Sequence, residues 1–463
     1  MICLNIGIKR RTKSMDNTQA IFEKLKIELL KHHSKKFKED FLDLHNYDQG
    51  RFFGELTREE RLLVYKYLDP DELADTFDEL DDEPDLIAEY LDEMAPSYAA
   101  ALLNGMYDDN EADILGAVRN DKLHKLLSYM QPVDAARVRQ LLKYEEKTAG
   151  ALMTTEFISV AVDTTVGSAM NQVKQEAQYA ETISYIYVVN ESNQLIGVIS
   201  VKDLIVNPDD VFIKRIMNTN VVSVRDDEDQ TEIAAQIRDY NFIAIPVVDE
   251  RNKMLGIITV DDIIDVIDEE SAQDYSRLAG VNSEDMSENP WKAVKSRIPW
   301  LVTMLFLGLI SAMVISQFQN VLDKFGLLAV FITLITGTAG NAGTQSLAVA
   351  IRRLANDEEG DSVFKLILNE VITGILIGLL TGIAIFAVIL FWQKNMVLGI
   401  IVGAAMSGAI FVANLVGTLI PIIMEKLGMD PVVASGPFIS TLSDITSILI
   451  YFNIATICLA NFY

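Results

Sequence analysis

The hydrophobic rhythm of the chain changes twice before it turns apolar. From about Asp16 to Glu146 apolar residues recur at threes and fours among charges, the spacing of amphipathic helices. Three stretches repeat a design: Leu68-x-Pro70 with Ala74, Met94-x-Pro96 with Ala100, and Met130-x-Pro132 with Ala136. Proline fits a first helical turn, and a small residue one turn later allows close packing, so a superhelical stack of short helix pairs is expected. Between about Leu152 and Asp268 the texture becomes alternating strand and helix. The last helix continues as DIIDVIDEESAQDYSRLAG to Gly280, a residue suited to a C-cap.

After the polar stretch VNSEDMSENP, five runs are long enough to span a bilayer: roughly Ile298–Phe318, Gly326–Ile351, Phe364–Trp392, Met396–Met424 and Val432–Leu459. Lys292, Lys295, Arg297, Arg352, Arg353, Lys365 and Lys426 flank them on the side of the soluble half, with Lys324 and Lys394 opposite. The positive-inside rule then places the N-terminal domains in the cytoplasm and the short C-terminus outside. Residues 1–15 carry too short an apolar run, followed by its charges, for a secretory signal and are expected to be a disordered extension.

Charge sharpens this division. The 463 residues carry a net charge of −27. From Trp291 onward nine acidic and nine basic residues cancel, so the whole excess belongs to the soluble half. Such a surface suits metal cations and repels nucleic acid, which is not an expected partner. The densest acidic tract, Asp69 to Glu93, holds Asp78, Asp81, Asp82 and Glu83 but no DxDxDG loop, so a solvated face is expected for most of these carboxylates. Cys3 and Cys458 stand near opposite ends and suggest neither a disulfide framework nor a cysteine metal site. HExxH is absent, as is any nucleophile or phosphate-loop constellation, and no enzyme activity is expected.

The strand–helix segment repeats itself. MTTEFISVAVDTT at Met153 aligns with MNTNVVSVRDDED at Met217, and YIYVVNESNQLIGVISVKDLI aligns with AIPVVDERNKMLGIITVDDII, matching Gly197 to Gly256 and Asp203 to Asp262. This closely resembles a tandem pair of cystathionine-β-synthase-type (CBS) modules. The resemblance implies a site for ATP or another adenine nucleotide, with the Asp of a Ser/Thr-x-x-Asp step on the ribose. The two steps here are Ser200 to Asp203 and Thr259 to Asp262. Each is also a helix capping box, and the two roles are compatible.

The last run places Asp444 near the middle of a membrane helix, where a charge costs at least roughly 2.5–3.5 kcal/mol. It must face water, a cation or a bundle partner. Counting back in fours reaches Ser440 and Gly436, giving one face a carboxylate, a hydroxyl and a gap, a lining for a narrow aqueous path. A protonated Asp444 hydrogen-bonded to a neighbouring helix is the alternative. The second run holds TGTAGNAGTQS, whose glycines permit close helix approach and whose Asn341 and Gln345 offer oxygens at low dielectric. Glu370, about two turns into the third run, fits either an ion entrance or an ion pair.

Four landmarks stand in order: Lys147-Thr148-Ala149-Gly150 leading to Met153-Thr154, Arg297-Ile298-Pro299-Trp300-Leu301, Gly340-Asn341-Ala342-Gly343-Thr344-Gln345, and the Asp444 segment. With the domain order, they resemble the MgtE family of magnesium channels from about Met15 to the end. The resemblance implies a multidomain protein of a bacterial plasma (inner) membrane. Its parts are an all-α superhelical cytosolic domain (16–146), an α/β tandem CBS pair (147–262), an acidic plug or linker helix (263–290) and a five-span α-helical transmembrane pore domain (291–463). It implies a homodimer whose second and fifth spans line one pore, with two Asp444 carboxylates holding hydrated Mg²⁺ and Ser440, Gly436 and Asn341 beside them. It further implies that cytosolic Mg²⁺ bridges acidic surfaces and shuts the plug. Asp262, Asp265, Glu269 and Glu270 are the expected sensing ligands, with Asp430 as a membrane-side partner. The rival reading is a proton-coupled divalent cation transporter with a nucleotide-sensing CBS pair, its proton carried by Asp444 or Glu370.

Overall fold

The computed structural model describes residues 18–80, 84–281, 290–355, 363–433 and 436–462. The expected extension over residues 1–15, and Asp81, Asp82 and Glu83, lie outside them. The chain forms two compact units, Met1–Ile267 and Asp268–Tyr463.

In the first unit a run of short helices ends at Leu141. Pro70, Pro96 and Pro132 each occupy a first helical turn, where the missing N–H costs nothing. Alternate helices stack, Asn46–Gly54 on Pro70–Asp78 and that on Pro96–Leu103, which makes the expected superhelix of pairs. Ala74 and Ala100 are buried at the contacts, but in the third repeat Ala135 is the buried residue and Ala136 faces out. Phe37, Phe41, Phe52, Phe53 and Phe77 fill the core between the rows. Burial of a side chain of this size contributes about 1.5–3 kcal/mol.

Two three-stranded sheets follow with the same layout. β1 (Ser159–Ala161) runs parallel to β2 (Tyr185–Val189), which pairs antiparallel with β3 (Leu195–Ser200). β4 (Val224–Arg225), β5 (Ala244–Val248) and β6 (Met254–Thr259) repeat this order. Even the bulge recurs, at Val188/Val189 and at Val247/Val248. The matched glycines show why two copies are needed. A Cβ at Gly197 would lie 2.8 Å from the sulfur of Met217, and one at Gly256 would lie 2.5 Å from the Thr154 carbonyl oxygen and 2.9 Å from the sulfur of Met153. Each copy's leading methionine therefore packs on the other copy's glycine, and the pair is interlocked.

The helix after β6 is a single element, Val260–Ala279, so the CBS pair and the linker share it without a break. It stops where expected: Gly280 has φ +71°, and a Cβ there would lie 2.4 Å from the Trp300 indole nitrogen.

The second unit contains five helices long and apolar enough to cross a membrane: Ala293–Gln317, Leu327–Leu354, Val363–Gln393, Met396–Lys426 and Gly436–Ala460. They are called here the first to fifth spanning helices. The first starts earlier than its apolar run, since its helix begins at Pro290 and carries Lys295 and Arg297. The fifth starts later, because Pro431–Val433 forms a 3-10 turn and the α-helix begins at Gly436. The fourth helix is central and much of it is buried, from Leu398 to Ile422. Glycine seams bring the others onto it: a Cβ at Gly378 would lie 2.6 Å from the Ser407 carbonyl oxygen, and one at Gly417 only 2.2 Å from that of Gly343.

Candidate functional site

The membrane site is built on the second and fifth spanning helices. Their approach is set by small residues: a Cβ at Gly340 would sit 2.7 Å from Ser440 Oγ, and one at Gly343 would sit 2.9 Å from Ser443 Oγ. The glycines of TGTAGNAGTQS thus seat the hydroxyls of the fifth helix, and Asp444 follows directly after Ser443. Asp444 and Ser440 are half-buried, while Asn341 and Gln345 are exposed one turn apart on the second helix. The structure therefore brings Ser440 beside the glycines that flank Asn341, with Asp444 one turn along. Gly436 opens the fifth helix, two turns before Asp444, and a Cβ there would stand 3.6 Å from the Leu278 carbonyl oxygen and the Thr344 methyl, an ordinary contact distance.

The end of the linker helix meets the spanning helices there. Leu278 packs on Leu347 and Ile439 together with Ile351, Val416, Ile420, Met424 and Phe438. Arg277 Nη1 donates to Asp430 Oδ2 at 2.8 Å, and Asp430 Oδ1 accepts from the Val432 N–H at 2.8 Å. Burial and the nearby Asp430 raise the Asp274 carboxyl, with Glu270 adding to the repulsion and Arg277 opposing it. Of the expected ligands, Glu270 and Asp430 thus share one acidic neighbourhood with Asp274. Glu269 instead accepts a hydrogen bond from Gln273 Nε2 at 2.8 Å.

A second acidic centre lies within the first unit, where the superhelix meets the CBS pair. One oxygen from each of Glu181, Asp261 and Asp262 lies within 4.8 Å of the others. Asp109, buried at the start of the helix Asp108–Ala117, faces them. Burial lifts Glu181 to about 8, helped by Asp262 and Asp261, and Asp262 to about 6 despite its hydrogen bonds with Thr259. Asp109 is raised by burial and then by Asp262 and Glu181. Among the described residues no Lys or Arg pairs with Glu181, Asp261 or Asp262. A hard dication held by oxygens fits this donor set. Asp265 adds to the field at Asp262.

The adjacent Asp108 is a useful contrast. Fully buried, it pairs with Arg137 Nε at 2.8 Å and accepts a hydrogen bond from the Thr155 hydroxyl. Arg137 is a resident cation for that carboxylate, whereas among the described residues no Lys or Arg pairs with Asp109. Asp78 also departs from the solvated face expected of its tract: it accepts from the Tyr107 N–H at 3.2 Å and from Asn110 Nδ2 at 3.0 Å, and burial raises it to about 7. Sequence reading missed Asp109, Glu181 and Asp274. DDNEAD at Asp108 reads as ordinary helix-start acids, and Glu181 lies in a loop with no motif of its own.

The Ser200 step forms a full capping box, and the Thr259 step makes its side-chain half. Ser200 N–H and Oγ donate to Asp203 Oδ2 at 2.9 and 2.6 Å, and Thr259 does the same to Asp262. The copies then diverge. Hydrogen bonds from Ser200 hold Asp203 below the ordinary carboxylate range, while Asp262 is drawn into the acidic centre. Between the sheets lies a cavity of about 250 Å³ lined by Tyr185, Tyr187, Asn218, Asn220, Phe242 and Pro246 among others. Tyr185 is the cross-strand partner of Ser200, and Ala244 holds the matching place beside Thr259.

Four stretches match three family models: residues 44–147 the MgtE intracellular N domain, 149–208 and 213–269 the CBS domain, and 332–454 the MgtE divalent cation transporter. The magnesium transporter MgtE of Enterococcus faecalis is 53% identical over 440 residues, spanning 95% of this chain and 97% of that protein. The chain belongs to the MgtE family. The magnesium transporter MgtE of Thermus thermophilus is 34% identical, over 92% of this chain and 96% of its own length. Among solved structures, the soluble part of a magnesium transporter matches at TM-score 0.54 and 47% identity, covering 55% of this chain and 99% of that one. The cytosolic domain of the Mg²⁺ channel MgtE in complex with ATP is 36% identical at TM-score 0.48, covering 52% of this chain and 99% of that one. The multidomain layout of an MgtE protein, with N domain, CBS pair and five apolar helices, is thus present in full.

Proposed function

We propose that this chain is a Mg²⁺ channel that takes up magnesium as a homodimer and is shut by cytosolic Mg²⁺. The observation that carries the reading is Asp444, an ionisable residue half-buried in a spanning helix beside the hydroxyl–glycine seam. Mg²⁺ dehydrates reluctantly and keeps several waters, so carboxylate and amide oxygens suit it as outer acceptors. Two copies of Asp444, one from each protomer, hold the hydrated ion; Ser440 and Asn341 line its path, and Gly436 leaves space at the inner end.

Closure is driven by the acids. Glu181, Asp261 and Asp262, with Asp109 and Asp265 near them, repel one another until a dication binds. Glu270, Asp274 and Asp430 form a second acidic cluster where Leu278 meets the spanning helices, its repulsion already partly offset by Arg277. Several weak sites, each favouring one state, give a steep response. The domains before the first spanning helix are cytoplasmic and the C-terminus is outside, in the plasma (inner) membrane of a bacterium. The CBS cleft binds ATP or another adenine nucleotide, with Tyr185 stacking the base and Asp203 of the first copy on the ribose.

The test is Mg²⁺ flux through purified full-length protein in liposomes, with low and high Mg²⁺ on the face bearing the soluble domains. Flux at low Mg²⁺ that vanishes at high Mg²⁺ supports pore and sensor together. Flux indifferent to that face removes the gate. Flux that requires a proton gradient replaces the channel with a coupled transporter.

A further inference from the structure

Glu370 is an acid of the membrane unit that the pore reading leaves unused. It lies on the third spanning helix, half-buried, and among the described residues it pairs with no Lys or Arg. Instead Ser346 Oγ, from the second spanning helix, donates to its Oε2 at 2.7 Å. The same Ser346 oxygen lies 2.8 Å from Thr418 Oγ1 of the fourth helix, and Thr418 Oγ1 donates to the Asn414 carbonyl at 3.0 Å. Ser346, Thr418 and Asn414 are buried at 3%, 0% and 4% exposure. One chain of hydroxyls thus ties three spanning helices together away from water, where an unmade hydrogen bond costs about 1–3 kcal/mol.

The tie acts on the helix that carries Asn341 and Gln345. Ser346 is one turn beyond Gly343, which touches Ser443 and Ile439 of the Asp444 helix. Leu347, the next residue, packs on Ile439. Rotating the second helix by one residue would swing Ser346 out of the chain and drive a side chain into Ser443. We propose that Glu370 is a positioning residue: through Ser346 it fixes the rotation of the second spanning helix against the fifth, and so the placement of Asn341 beside Asp444. This rests on the pore reading above. Donor counting predicts how a substitution behaves. Ser346 and Thr418 hold two hydroxyl hydrogens for three contacts, so a donor at position 370 lets every contact be made at once.

The experiment compares E370A, E370Q and S346A in full-length protein, with D444N as a control on the pore. Spin labels at positions 349 and 449 of a cysteine-free background, diluted with unlabelled protomers, report the distance between the second and fifth helices. Mg²⁺ flux and the Ca²⁺/Mg²⁺ flux ratio are measured in liposomes. Expected are a broadened distance, an at least tenfold loss of flux and a several-fold higher Ca²⁺/Mg²⁺ ratio for E370A and S346A. E370Q, whose amide donates to Ser346, should stay within about twofold of wild type by every readout. The proposal is overturned if E370A matches wild type in distance and selectivity. It is equally overturned if E370Q is as impaired as E370A, since charge and not the hydrogen-bond chain would then matter. Unaltered flux in D444N would sink the pore reading alone, because the spin-label distance does not depend on it.

Discussion

Substituting Glu181 by glutamine should make the metal-free cytosolic half more stable and less responsive to Mg²⁺. Burial, with Asp262 and Asp261 beside it, lifts Glu181 to about 8, whereas an unperturbed glutamate titrates near 4.3. The folded state therefore holds a proton that the unfolded chain releases. The associated stability is complete below about pH 4 and is lost as pH rises towards 8. At about 1.4 kcal/mol per unit the loss at pH 8 would reach roughly 4 kcal/mol. The side chain is only partly buried, so screening leaves about half, roughly 2 kcal/mol. E181Q removes this term without removing bulk. At about 2–4 °C per kcal/mol for a domain of this size, the melting temperature in chelator at pH 8 should rise by about 4–8 °C. Wild type should recover that difference in Mg²⁺, since a ligand at 100 times its Kd contributes about 2.7 kcal/mol, and the variant should recover much less. Scanning calorimetry of full-length protein in detergent, with chelator or Mg²⁺ at pH 6 and pH 8, measures all four numbers. A variant no more stable than wild type in chelator at pH 8, or equally stabilised by Mg²⁺, would refute Glu181 as a member of a cation site.

Three further outcomes are expected. D444N should abolish Mg²⁺ flux while leaving membrane insertion and melting unchanged, and wild-type flux in that variant would remove Asp444 from the pore. E270Q should raise the Mg²⁺ concentration that closes the channel several-fold, because Glu270 adds to the negative field at Asp274 beside Asp430; an unchanged closure curve would remove Glu270 from the sensor. Y185A and D203N should each weaken ATP binding at least tenfold by titration calorimetry, and an equal loss in D262N would contradict the assignment to the first CBS copy.

Much of the architecture was legible because it is written in local periods. Proline at a first helical turn, the doubled CBS segment and five long apolar runs each specify an element from neighbouring residues alone. Where the reading slipped, the cause was tertiary. Ala135 and not Ala136 is buried in the third repeat, since helix rotation follows packing and not one small residue. Asp444 stands out in the sequence for a different reason: the bilayer is a fixed solvent, and a carboxylate in it is anomalous wherever its partners are.

The acids proposed to sense Mg²⁺ had no such background to stand out against. In a half carrying the whole −27 charge, Asp109 and Glu181 look like any solvated carboxylate, and only folding brings them to Asp262. What separates them from structural acids is the presence or absence of a resident cation. Asp108 has Arg137 at 2.8 Å, so its burial is compensated at every Mg²⁺ level and it serves as a permanent joint between superhelix and CBS pair. Asp109 lies one residue away, with a backbone N–H from Asn110 on its Oδ1 and the carboxylates of Asp262 and Glu181 facing it, so on the proposed reading its burial is compensated fully only when a dication arrives. If this distinction is right, replacing Arg137 should loosen the joint even in saturating Mg²⁺, whereas removing Glu181 should tighten it in the absence of Mg²⁺. Mutations of opposite sign on one surface, with opposite effects on stability, are what a cation-operated hinge requires and a merely acidic surface does not.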